Sequence, residues 1–217
     1  MRKKRNRGSS VIEFYLVLPL LASLIIGSLV YGVQMVKELQ LLQVARDTAS
    51  MTARGTTFIK NTDHVDTGAQ AIVSRLGPGL NWPSSGGLLA TSPGVVYVSA
   101  IMYLDAGCNV GTACPNHDSW VFISSVSFGN TGLRSSNFGA PAPCIPGCWD
   151  ASRNDGSLTS ADTRTNASAR VKNFTYLGTP ASGTAGIQPG QYVYLIEAAA
   201  TTSPFGGGTV GYAYSVF

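Results

Sequence analysis

The stretch "RKKRNRGSSVIEFYLVLPLL", residues 2–21, sets five basic residues, a glycine and a single glutamate, Glu13, against a long apolar run. Residues 14–36 carry no charge. As a helix rising 1.5 Å per residue they reach roughly 35 Å, enough for a hydrocarbon core of ~30 Å. A cleaved secretory signal has an apolar region of only about 7–15 residues followed by a small-residue site, and this run is longer. It also continues without a cleavage region into "VQMVKELQLLQVARDTASMTARG", residues 33–55, where Met35, Leu39, Leu42, Ala45, Ala49 and Ala53 recur at three- and four-residue steps. Arg54 followed by Gly55 marks the helix end. The expectation is one helix over residues 9–54, apolar all round in its first half and amphipathic in its second. Pro19, inside the span, predicts a kink or a melted turn. Ser23 with Gly27, and Ser28 with Gly32, are small pairs four apart. They suit close approach of another helix, and equally reflect how common glycine is in such helices.

The charge distribution agrees with a membrane anchor. The formal net charge is +4, from 15 basic and 11 acidic residues. Arg2, Lys3, Lys4, Arg5 and Arg7 account for all of the surplus, leaving a slightly acidic body and no electrostatic case for nucleic-acid binding. Basic residues preceding a span stay in the cytoplasm, so the rest of the chain is expected on the far side. Low charge and abundant Gly, Ser, Thr, Asn and Pro suit a secreted β-rich domain.

The segment "RGSSVIEFYLVLPLLASLIIGSLVYGVQMV", residues 7–36, resembles the type IV pilin leader and, more closely, the TadE-like family of Tad (Flp) pilus assembly proteins. The resemblance rests on Arg7-Gly8, the small residues after it, Glu13-Phe14 and the Leu-Val-Leu-Pro-Leu-Leu run, and it covers about residues 5–55. It implies that a prepilin peptidase cuts after Gly8, that Ser9 becomes the new N-terminus, and that Glu13 becomes the fifth residue of the mature chain. Ile12 stands where the family often has Val, and the cysteines and long loops are not family hallmarks. The physics is compatible. A glutamate near a membrane interior is costly and marks function or pairing. A new amino group four residues away would supply a cationic partner, on the same subunit or a neighbour. The competing reading leaves Glu13 as an ordinary charge at the headgroup interface.

Beyond the helix, "TDHVDTGAQAIVSRLGPGL" predicts a second helix, with Val65, Ala69, Ile72, Val73 and Leu76 on one face and Gly77-Pro78 as its stop. Residues 95–104, 119–128, 170–177, 191–200 and 209–217 read as strands rich in Val, Ile, Tyr and Phe. No helical pattern lies between them, which favours an antiparallel sheet. The fold class expected is α+β. A long helix packed on a small antiparallel sheet is also the pilin-like architecture that the resemblance implies. The expected divisions are a basic leader (1–8), a transmembrane helix (9–36), its amphipathic continuation (37–55) and an extracytoplasmic domain (56–217) with long loops at 105–118 and 129–169.

Cys108, Cys114, Cys144 and Cys148 all follow the span, so an oxidising compartment makes disulfides the expectation. Local pairs, 108 with 114 and 144 with 148, come first among three connectivities. "CIPGC" lacks the two-residue spacing of a redox motif, and no zinc pattern forms with the isolated His64 and His117. "DASRNDGS", residues 150–157, has its glycine one position late for a calcium loop and lacks the terminal glutamate. No phosphate loop, Ser/His/Asp set or paired carboxylates emerge, and no cofactor or metal is expected. The expected function is therefore non-enzymatic: a minor pilin or pseudopilin of a Tad pilus in the bacterial inner membrane. Its partners would be membrane lipid, the prepilin peptidase, other pilins and the assembly machinery. The alternative is an uncleaved, membrane-tethered extracytoplasmic binding module outside any pilus.

Overall fold

The computed structural model describes residues 9–56, 76–80, 82, 91–109, 113–139, 158, 160–174, 190–202 and 208–217. Helix α1, Ser9–Ala53, is one continuous α-helix of 45 residues that runs through Pro19 without a break. No melted turn forms there. The proline only withdraws one N–H from the ladder and crowds the carbonyl of Tyr15. The helix ends as Gly55 predicts. Gly55 has φ +88, its N–H donates to Thr52 O at 3.0 Å, and the N–H of Thr56 donates to Met51 O at 3.1 Å. This Schellman arrangement satisfies carbonyls that the helix end would otherwise orphan.

The second half of α1 buries a stripe that overlaps the expected one at Leu42, Ala45 and Ala49 but departs from it elsewhere. Leu41, Val44, Ala45, Thr48 and Ala49 are fully buried, whereas Met35 and Leu39 are exposed and so is Ala53. Residues 35–45 hold enough apolar side chains to draw two stripes at helical spacing. The sheet selects the one that meets it.

The sheet is antiparallel, in the order β2-β1-β3-β4, with β1 Gly94–Leu104, β2 Ser119–Gly129, β3 Tyr192–Thr201 and β4 Val210–Val216. The α+β class expected from the sequence is the observed one. Helix α1 packs across β3 and β4. Leu80 and Trp82 join the same core with Val96, Val98, Val126 and Phe128. Trp82 fits there because its neighbours are glycines: a Cβ at Gly94 would lie 2.2 Å from the indole Nε1.

The opposite face is covered by side chains of residues 130–139, 158 and 160–174, and a β-bulge makes that second core possible. Ala100 pairs with Ser124 but Ile101 pairs with Phe122, so Ile123 is an extra residue on β2. Side chains alternate faces along a strand, and one inserted residue reverses the parity. Val126 and Phe128 therefore point to the α1 side, while Trp120 and Phe122 join Ile101, Tyr103, Phe138 and Leu158 on the other. Trp120 packs edge-on against Tyr103 and Phe174, at 5.5 and 5.1 Å between ring centroids.

Two sequence expectations are corrected in this outer layer. Residues 170–174 are not a strand. Only Arg170 makes a bridge, to Val121, and Asn173 turns the chain with φ +53. Within 129–169, read as loop, the structure has a short helix α2, Ser160–Thr165, and a 3-10 turn, Ala167–Ala169. The helix expected over 62–76 lies outside the described residues apart from its last residue, Leu76, which is helical. The 150–157 segment also lies outside them.

Candidate functional site

The membrane-length half of α1 is the first candidate surface. It is long and apolar enough to cross a membrane. Val11, Phe14, Leu16, Leu20, Leu24, Ile26 and Leu29 are all exposed. A helix that is apolar all round and unpacked requires lipid or other helices around it. Glu13, the fifth residue of α1, is exposed among these side chains. Ser9 is the first helical residue, and Gly8 lies outside the described residues.

The two serines of the small pairs are already bonded within the helix. Ser23 Oγ donates to Leu20 O at 2.8 Å and Ser28 Oγ donates to Ile25 O at 2.9 Å. They therefore present small surfaces with no unmet donor. A Cβ added at Gly27 or Gly32 would meet nothing within 4 Å. A shallow groove of about 350 Å³ begins beside Gly32 and runs along Val36, Lys37 and Gln40 to Gly79.

The second feature is a buried carboxylate that sequence reading missed. Glu197 on β3 is 2 % exposed. It accepts hydrogen bonds from Ser136 Oγ, from the Asn137 N–H at 2.8 Å and from the Tyr212 hydroxyl at 2.7 Å. Tyr97, its cross-strand neighbour, donates its hydroxyl to Arg134 O at 2.7 Å. The Arg134 guanidinium sits 4.2 Å from the centre of the Tyr212 ring. Burial, and then the hydrogen bond and negative charge of Glu197, raise the Tyr212 pKa well above its ordinary value. Burial and then Glu197 raise that of Tyr97 as well. Three donors converge on the carboxylate, and together with the Tyr97–Arg134 bond they clasp the 130–139 segment to the sheet. The only signal in the sequence was a lone acid in an otherwise apolar strand, "YVYLIEAAA".

The cysteine pair Cys108–Cys114 is a disulfide, with the Cα atoms 5.9 Å apart. Cys144 and Cys148 lie outside the described residues, as does His64. His117 is exposed, with its Nδ1 3.0 Å from Cys114 O. Among the described residues no group of three or more His, Cys, Asp or Glu side chains could hold a metal ion.

Residues 8–50 match the family model described as TadE-like protein. The resemblance drawn from the Gly8–Glu13 segment is thereby shown over the N-terminal helix, and it points to a Tad-pilus-related protein. The match ends inside α1 and does not reach the sheet. The chain matches no curated protein and no solved structure.

Proposed function

We propose that this chain is a minor pilin or pseudopilin of a Tad pilus. In this reading it is anchored in the inner membrane by residues 9–36, with its leader in the cytoplasm and the α+β domain outside. Prepilin peptidase removes residues 1–8. The exposed apolar half of α1 then packs among the helices of other pilins, with Glu13 paired to the new amino terminus at Ser9 of its own or a neighbouring subunit. The role is structural, and the outer domain contributes recognition rather than catalysis.

The observation that carries this reading is the continuity of α1. One rigid helix presents an unpacked apolar surface at one end and forms a wall of the domain core at the other. Such a helix couples whatever packs around it in the membrane directly to the domain outside. The TadE-like match covers that same helix, and the Gly8-to-Glu13 spacing agrees with a processed leader.

The test is intact-mass measurement on chain extracted from membranes with and without the cognate peptidase. Loss of residues 1–8 only when the peptidase is present is the expected result. A full-length N-terminus in its presence would favour the tethered, uncleaved module instead.

A further inference from the structure

We propose that the Cys108–Cys114 bridge is a thiol-reducible clasp that holds the outer layer, residues 158–174, on the sheet. The link between the two runs through Asn116. This side chain is fully buried and every polar group on it is used. Its amide nitrogen donates to Thr163 O at 2.9 Å and to Asn166 O at 2.8 Å. Its Oδ1 accepts from Arg170 Nε at 2.8 Å, and its backbone N–H donates to Arg164 O at 3.1 Å.

Thr163 and Arg164 lie in the last turn of α2, where carbonyls have no partner within the helix. Asn116 therefore caps α2 from another part of the chain. It stands two residues from Cys114, and the bridge ties Cys114 to the turn after β1. The same turn is held from the other side, because Arg164 donates to Cys108 O. Arg170 also donates to Pro115 O. The disulfide and the 158–174 layer thus share one polar network.

The surroundings suit reduction. Cys114 is buried, but Cys108 is only half-buried, on a turn whose other residues Asp105, Ala106 and Gly107 are exposed. A thiolate from the dithiol of a thiol–disulfide oxidoreductase attacks Cys108 Sγ. The Cys108–Cys114 bond breaks, a mixed disulfide forms on Cys108, and Cys114 leaves as a thiolate that takes a proton from solvent. The second thiol of the reductant then attacks the mixed disulfide, loses its proton and frees Cys108. The reductant ends as a disulfide and the chain as two thiols. Arg164 and Arg170 bond the backbone on either side of the bridge, at Cys108 O and Pro115 O. Without the bridge, residues 113–117 keep the packing of Cys114 against Leu104 and Val121 and their hydrogen bonds but lose their covalent tie to the turn after β1, and the cap on α2 loosens with them.

The experiment uses the full chain in detergent micelles, in a Cys144→Ser/Cys148→Ser background. Alkylation and mass then count only Cys108 and Cys114. Amide hydrogen exchange is compared between the oxidised chain and the chain reduced with dithiothreitol. The expected result is exchange about tenfold faster or more at Asn116, Leu158, Val171 and Lys172, with Tyr194, Thr201 and Phe217 unchanged. Asn116→Ala with the bridge intact should loosen the same 158–174 amides. Unchanged exchange there in the fully reduced chain would overturn the proposal. So would equal acceleration in β3 and β4, because the bridge would then hold the whole fold. Full protection of 158–174 in Asn116→Ala would break the proposed link.

Discussion

Glu197 accepts a hydrogen bond from the Tyr212 hydroxyl at 2.7 Å, on a sheet face turned away from α1. The two residues sit on paired strands, β3 and β4, with Tyr212 opposite Ala199 and Glu197 opposite Tyr214, so the contact is diagonal. It closes a polar cluster inside an otherwise apolar layer, where an unpaired charge would be strongly destabilising.

Glu197→Gln should destabilise the domain by roughly 1–3 kcal/mol. The amide offers one acceptor oxygen and places an NH₂ group against three donors, so at least one buried donor loses its partner. Tyr212→Phe removes a single donor and should cost less, about 0.5–1.5 kcal/mol. Denaturant unfolding of the detergent-solubilised chain orders the two. A Glu197→Gln chain as stable as the parent would show that the cluster contributes nothing.

Alkaline pH should weaken the fold. Tyr97 and Tyr212 have folded-state pKa values raised by burial and by Glu197. Below the ordinary tyrosine pKa of ~10 both states hold these protons, and the stabilisation is fully present. As pH rises through that value the unfolded chain releases protons that the native chain retains, so stability falls. Melting curves between about pH 8 and 11 should decline, and Tyr97→Phe/Tyr212→Phe should flatten that decline relative to its own value at neutral pH.

Leu41→Ala should cost about 2–5 kcal/mol, because the side chain is fully buried between α1 and the sheet. Leu39→Ala, two residues earlier but exposed, should change domain stability by no more than about 0.5 kcal/mol. Thermal shifts on the pair separate the observed stripe from the alternative one drawn through Met35 and Leu39.

Gly27→Leu and Gly32→Leu should leave the melting temperature of the isolated chain almost unchanged, since an added side chain meets open space. Both should reduce co-purification with other pilus components, because bulk at a small-residue face holds a neighbouring helix away. Undiminished co-purification would remove these glycines from the packing surface.

Glu13→Gln should preserve membrane insertion, since residues 14–36 are untouched, and should largely preserve processing if Gly8 is what the peptidase reads. Assembly should fail, because the new amino terminus loses its partner. The cost is about 3–5 kcal/mol if the pair is well buried. Surface piliation in a strain lacking the wild-type copy measures it. Normal piliation would make Glu13 an ordinary interface charge.

Local chemistry alone determined much of this chain. The uncharged run and its amphipathic continuation specify α1. Gly55 supplies the left-handed residue at its end, and four of the five runs rich in Val, Ile, Tyr and Phe become strands. Each signal acts within a few residues and leaves a periodic trace. Over residues 35–44 the buried side of α1 was decided only by the sheet, because that stretch supports two stripes, while Ala45 and Ala49 are buried as the periodicity predicts. The fate of 170–174, the described part of the segment read as a strand over 170–177, was also tertiary. Its composition suits a strand, but Arg170 is held by Asn116 and Pro115, and Asn173 bends the chain to donate to Asn137 O. Glu197 and Asn116 left no pattern in the sequence, because their partners lie 15–61 and 47–54 residues away. Buried polar residues obtain their roles from groups that only the folded chain brings within reach.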